Sequence, residues 1–145
     1  MINYTLSFHD LSTTESNYNY VVIVTQHKGK QVWLRKHNAT TWEVPGGHVE
    51  ADETPEMAAQ RELWEETGAI DFTLKPVCDF SISNNGKQSY NRLFFADIIS
   101  FGPLPNFEIG EVAFFETPPS SLTHGLVQLE LTERVFLQLG VDQNT

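Results

Sequence analysis

The segment Tyr20-Val21-Val22-Ile23-Val24 is apolar throughout and rich in β-branched side chains, the pattern of a strand buried on both faces. His27-Lys28-Gly29-Lys30 reads as a turn, and Gln31 to Arg35 resumes as a strand, which predicts a hairpin. Upstream, Ile2 to Phe8 alternates weakly and predicts an edge strand. Downstream, Trp42-Glu43-Val44 predicts a short strand stopped by a Pro45-Gly46-Gly47 loop. Thr54 and Pro55 form a helix start, with Thr54 as N-cap and Pro55 at the first helical position; the helix should run to about Thr67 and stop at Gly68. Ile70 to Ser83 is strand-like with an interruption at Pro76. Asn84-Asn85-Gly86 is a turn, and Gln88 to Ile99 pairs back. Glu111 to Phe115 is a further short strand. Leu126 to Leu139 is a second helix, with an apolar face of Leu126, Leu129, Val135, Phe136 and Leu137. Strands interspersed with two helices predict an α+β fold, an αβα sandwich around a mixed central β-sheet.

The chain has 145 residues, enough for one domain over residues 1–145 with a real hydrophobic core. Its net charge of −10 argues against a nucleic-acid polymer as partner, because no basic stripe is present to displace counterions. Small anions remain open if a divalent cation bridges two negative partners. Cys78 is the single cysteine, so no intrachain disulfide forms, and its place in an alternating run predicts a half-buried structural thiol. The first residues carry no basic region followed by a long apolar segment, and no stretch approaches membrane-spanning length, so a cytoplasmic chain without membrane contact is expected. Monomer and homodimer both stay open.

Candidate chemistry is concentrated in residues 47–69. On a helix, Glu62, Glu65 and Glu66 sit at i, i+3 and i+4 and share one face, with Ala58 and Ala59 a turn earlier. Met57, Leu63 and Trp64 are expected to anchor the other side in the core. Three like charges on one face repel one another, and a hard divalent cation such as Mg²⁺ would offset this. Arg61, between these glutamates and Glu53, can hold two carboxylates at once, so it is expected to orient Glu53 and Glu65. Three glutamates on a helix face are more often a solvated surface. The Gly-Gly loop before this helix and the arginine inside it favour a site.

These residues match a known pattern. The stretch resembles the Nudix box, Gly-x5-Glu-x7-Arg-Glu-U-x-Glu-Glu-x-Gly-U with U a bulky aliphatic, at Gly47, Glu53, Arg61, Glu62, Leu63, Glu65, Glu66 and Gly68. Ala69 is smaller than the usual final residue. The fixed identities put a chance match at about 10⁻⁸ per starting point, so the family signal is specific. Trp42-Glu43-Val44-Pro45-Gly46-Gly47 is similar to the approach to the box. Leu34-Arg35-Lys36 resembles the basic strand end of MutT-type members, and Glu111 to Phe115 resembles a later acidic-aromatic strand.

The resemblance implies an αβα sandwich and hydrolysis of nucleoside diphosphates linked to another group, X, with Mg²⁺ or Mn²⁺ as cofactor. By it, Glu62, Glu65 and Glu66 ligate the metal, with the Gly47 carbonyl as a further ligand. Arg61 and Glu53 complete the catalytic set. Glu62 is assigned to activating the attacking water, although members differ in which carboxylate does so. A carboxylate from a late loop is expected to complete the metal site, with Glu111 first and Glu108 next. Arg35 or Lys36 would hold a terminal phosphate, and His48 would line the site. Trp42 and Phe80 could stack on a base, although strand aromatics are more often core, and Asn84, Asn85 and His124 lie in loops that could read a base edge.

The substrate is less legible than the family. ADP-ribose hydrolases tend to carry a proline about fifteen residues beyond the box, and dinucleoside polyphosphate hydrolases a tyrosine. Ile82-Ser83-Asn84-Asn85 has neither, and Tyr90 comes too late. The chain looks most like a MutT-type nucleoside triphosphate pyrophosphohydrolase, including those that act on 8-oxo-dGTP. The alternatives are a Nudix enzyme for ADP-ribose, a nucleotide sugar, a dinucleotide or an RNA 5′ end, and a non-catalytic nucleotide sensor.

Overall fold

The structure is a computed structural model and describes residues 4–140. Its elements are β1 (Tyr4–His9), β2 (Tyr20–His27), β3 (Lys30–Lys36), β4 (Gly46–His48), α1 (Pro55–Thr67), β5 (Ala69–Asn84), β6 (Lys87–Phe101), β7 (Ile109–Phe115) and α2 (Leu126–Leu139). Residues 2 and 3, which the alternation places in the first strand, lie outside the described residues. All strands join one seven-stranded sheet, ordered β1-β5-β6-β2-β3-β7, with β4 on β2. β2 runs parallel to β6, while the β1–β5, β2–β3, β2–β4, β5–β6 and β3–β7 pairs are antiparallel, so the sheet is mixed.

Alternation along the central strands separates two cores. Val21 and Ile23 pack with Ala58, Ala59 and Leu63 of α1. Val24, the next residue, packs with Leu131, Val135 and Phe136 of α2. Successive strand residues face opposite sides of a sheet, so the helices cover opposite faces. This is the expected αβα sandwich, with α+β organisation along the chain. Among the described residues, no helix is long and apolar enough to cross a membrane.

Local chemistry explains most boundaries. Thr54 caps α1 by accepting a bond from the Met57 amide at 3.1 Å, and Pro55 opens the first turn. Gly68 ends the helix in the left-handed region, at φ 79°. The turn between β5 and β6 places Asn85 at φ 51° and Gly86 at φ 81°, the twin positive values of a tight hairpin. The Pro76 interruption appears as a register shift between Pro76 and Cys78, after which pairing resumes.

Several expectations need correction. Trp42 and Glu43 make only isolated bridges, to Leu122 and Leu34, and the strand lies one step later in the supposed Gly-Gly loop. A Cβ on Gly46 would sit 2.5 Å from the Val21 carbonyl oxygen; without one, β4 lies close against β2. Met57 and Trp64 are exposed, not core anchors, because the small Ala58 and Ala59 with Leu63 form the face of α1 that meets the sheet. The buried face of α2 is Gln128, Leu131, Thr132, Val135 and Phe136, which leaves Leu126 and Leu137 largely exposed. Cys78 is fully buried beneath α2, and that burial pushes its thiol pKa up.

Candidate active site

The close seat of α1 on the sheet brings its glutamates against β4 instead of leaving them in water. Ala59 and Leu63 point to the sheet, so Glu62 and Glu66 flank that apolar contact on the side of Gly46 and Gly47. A Cβ at Gly47 would stand 2.6 Å from both Cδ and Oε1 of Glu62. Only glycine leaves room for that carboxylate.

Arg61 organises the outer part of the cluster. Its Nε donates to Glu53 Oε2 at 2.7 Å and its Nη2 to Glu53 Oε1 at 2.9 Å. Nη1 reaches Glu62 Oε1 at 2.7 Å and Glu65 Oε2 at 3.4 Å. Nη2 also donates to the His48 carbonyl at 3.1 Å, which ties helix to strand. The Arg61 hydrogen bonds hold the Glu53 carboxyl down to about 2, and the same bonds push the Arg61 pKa up.

The inner glutamates differ. Glu66 is buried; its Oε1 accepts the Gly46 amide at 2.9 Å and its Oε2 accepts Lys36 Nζ at 2.7 Å. Burial pushes the Glu66 carboxyl up against the opposing pull of Lys36. Burial also raises Glu62, whose neighbours Glu66 and Glu65 add to the effect while Arg61 resists it. Desolvation opposes the charge on Lys36, but the bond to Glu66 and its negative field outweigh it and raise that pKa. The site therefore concentrates negative charge in a half-dry setting, where a further cation would be stabilised.

A cavity of about 850 Å³ opens beside this cluster. Gly46, Gly47 and His48 form its box-side edge, Val22, Phe80, Ile82 and Leu131 its apolar wall, and Asn19, Lys87, Asn91 and Gln128 supply polar groups. Tyr20 packs against His48 at the rim, ring centroids 4.5 Å apart and the planes tilted by 37°. Asn91 is fully buried; its Oδ1 accepts the Tyr20 amide at 3.1 Å and its amide nitrogen donates to the Phe80 carbonyl at 3.3 Å. The volume and the mixed lining suit a small ligand with one flat apolar part.

The structure brings together Gly47, Glu53, Arg61, Glu62, Glu65 and Glu66, with Lys36 against Glu66 and His48 at the cavity edge. It does not bring Arg35 or Glu111 to them. These two pair across β3 and β7 at 2.8 Å, and Arg35 also donates to the Ala39 carbonyl and lies over the Trp42 ring. Adjacent strand residues face opposite ways, so only Lys36 of the basic pair reaches α1. Glu108 is exposed, and its carbonyl accepts the His37 amide. Among the described residues no three His, Cys, Asp or Glu side chains already converge on a cation position. Trp42 packs on Phe115, whereas Phe80, Asn84 and His124 line the cavity.

Sequence reasoning passed over Glu43, Asn19, Tyr20, Lys87, Asn91 and Gln128. A signal was present at Glu43, a charged residue between Trp42 and the buried Val44. It was present also at Asp79, in the run Val77-Cys78-Asp79-Phe80. Asp79 is fully buried and accepts bonds from Arg92 Nε at 2.7 Å, Tyr18 at 2.7 Å, Tyr90 at 3.0 Å and the Ser12 amide at 3.0 Å. This network pins the β1–β2 segment that delivers Asn19 to the cavity.

Comparison with known proteins shows the family and the fold. A model of the NUDIX domain matches residues 16–123. The putative 8-oxo-dGTP diphosphatase YtkD of Bacillus subtilis is 36% identical over 115 residues, 78% of this chain and 72% of that one. Shorter matches join it to a MutT-like protein of Streptomyces ambofaciens, 48% identical over 46 residues (32% of this chain), and to an RNA pyrophosphohydrolase of Pseudomonas putida, 44% identical over 50 residues (34% of this chain). The aligned parts span only 30% and 31% of those two relatives. Among solved structures, a variant of the Bacillus subtilis pyrophosphohydrolase BsRppH superposes with a TM-score of 0.78 at 23% identity, covering 95% of this chain and 93% of that one, which is a likeness of fold. The chain belongs to the NUDIX family, as a MutT-like member.

Proposed function

We propose that this protein hydrolyses a nucleoside triphosphate to the nucleoside monophosphate and pyrophosphate, with a purine nucleotide such as 8-oxo-dGTP as the leading candidate. The observation that carries this reading is the Glu62 carboxylate seated on Gly47, at the edge where the cavity opens. A nucleotide with its base between Phe80, Ile82 and Leu131 would reach Gly47 and the glutamates with its phosphates.

The donor set fits a hard divalent cation. Glu62, Glu65, Glu66 and the Gly47 carbonyl are all oxygen ligands, and burial disfavours uncompensated charge on Glu62 and Glu66. These residues would hold Mg²⁺ or Mn²⁺, which would neutralise phosphate charge and polarise the reacting phosphoryl group. The chain's own groups do the rest. Arg61 fixes Glu53, Glu62 and Glu65 in one orientation. Glu62, the less buried of the two inner glutamates, is the group assigned to take a proton from the attacking water; burial and its neighbours Glu66 and Glu65 raise its proton affinity. Lys36 stands where it can meet phosphate charge, and the buried Glu66 anchors the loop through the Gly46 amide.

The test is product release from 8-oxo-dGTP, dGTP, ATP, ADP-ribose, a diadenosine polyphosphate and a 5′-triphosphorylated RNA, with Mg²⁺ present or chelated. Pyrophosphate from a free triphosphate, lost on chelation, supports the proposal. Cleavage confined to ADP-ribose, the dinucleotide or RNA moves the protein to another branch of the family. Tight binding without turnover would make it a sensor.

A further inference from the structure

Among the described residues, Lys36 is the one cation at the inner glutamates that the box does not itself supply. Its ammonium is 2.7 Å from Glu66, whose side chain is 5% exposed. A second carboxylate stands within its reach. Leu34 and Glu43 are bridge partners, so Glu43 projects from the same sheet face as Leu34 and Lys36 and lies one diagonal step from Lys36. That step is spanned by the four-carbon stem of a lysine. Glu43 lines the cavity and is 9% exposed, and its neighbour His124 is 3.8 Å away, beyond hydrogen-bond range. Burial alone would raise its carboxyl; His124, Lys36 and a hydrogen bond from Thr123 outweigh burial and hold it below its ordinary range.

We propose that Lys36 is a movable counter-cation: it holds Glu66 in the metal-free protein and passes to Glu43 when a divalent cation takes the Glu66 carboxylate. An ammonium and a divalent cation repel at hydrogen-bond range, so a metal on Glu66 Oε2 weakens the hold of Lys36 there. The displaced ammonium is only partly exposed and needs a new anionic partner, which Glu43 supplies. The inference rests on the reading that the box glutamates hold a metal.

Mn²⁺ binding without nucleotide, followed by electron paramagnetic resonance, tests both. Lys36→Met should tighten Mn²⁺ binding about tenfold, because the metal no longer displaces a charged hydrogen bond. Lys36→Gln should do the same and serves if the Met variant does not fold by circular dichroism. Glu43→Gln alone should weaken binding about threefold, yet change it by less than about twofold in the Lys36→Met background. Unchanged or weaker Mn²⁺ binding in both Lys36 variants overturns the proposal. So does an equal loss from Glu43→Gln in both backgrounds, which would make Glu43 a ligand in its own right. Failure of the wild type to bind Mn²⁺ saturably overturns instead the metal reading beneath it.

Discussion

Arg61 grips Glu53 with two parallel bonds, Nε to Oε2 at 2.7 Å and Nη2 to Oε1 at 2.9 Å, while its remaining nitrogen turns to Glu62 at 2.7 Å. One guanidinium thereby fixes the loop before α1 and the carboxylate over Gly47. Lysine keeps the charge but cannot make this fork. Arg61→Lys should lower kcat/KM about 10- to 100-fold and leave the thermal midpoint close to wild type. Steady-state kinetics with a melting curve check this, and unchanged kinetics would remove Arg61 from the site.

The two adjacent glycines should separate fold from chemistry. Gly46→Ala drives a methyl to 2.5 Å from the Val21 carbonyl oxygen, against rigid backbone, and should cost stability. Gly47→Ala meets the Glu62 carboxylate at 2.6 Å, a side chain that can swing away. It should fold normally and lose about 100-fold in activity. Urea melts and turnover of both variants decide; equal stability loss in the two would sink the distinction.

Glu53 gives an acid signature. Its pKa in the fold is depressed to about 2 by Arg61, below the unfolded value. The ionised form is favoured by folding, so its stabilisation is complete above the unfolded value and is lost as pH falls toward about 2. The stability gap between wild type and Glu53→Gln should be full near neutrality and close across that acid window. A gap independent of pH would mean the ion pair contributes nothing.

The Asp79–Arg92 pair lies away from the glutamates yet controls the cavity rim. Asp79 is fully buried, so Asp79→Ala leaves Arg92, Tyr18 and Tyr90 without their acceptor. Unfolding free energy should fall by about 3 kcal/mol. The β1–β2 segment should also become protease-sensitive, since the Ser12 amide and the Tyr18 hydroxyl both bond to Asp79.

Where local chemistry decides, the sequence was legible. Thr54, Pro55 and Gly68 bound α1 without help from the rest of the fold, and Leu126 to Leu139 has the residues and length of a helix whatever packs on it. Which face is buried depends on what lies beneath. Ala58 and Ala59 meet the sheet because small side chains permit close approach, and Met57 and Trp64 turn outward; the same partner-dependence buries Gln128 and exposes Leu137. The box residues were readable because their spacing places them on adjoining turns of one helix and the loop before it. Glu43, Asn91 and Asp79 acquire their roles only when β5, β6 and α2 assemble around them. Arg35 and Lys36 were readable as a pair but not as two faces, since only their strand register assigns one to Glu111 and the other to Glu66.

The central claim is that Glu62, Glu65 and Glu66 form a hydrolytic metal site beside a nucleotide cavity. Its most direct test is Glu62→Gln, compared with wild type for Mg²⁺-dependent pyrophosphate release and for nucleotide binding by equilibrium dialysis. The account predicts that nucleotide binding survives while kcat falls by about 1,000-fold. Wild-type turnover in Glu62→Gln, or nucleotide binding by the wild type with no Mg²⁺-dependent hydrolysis, would contradict it.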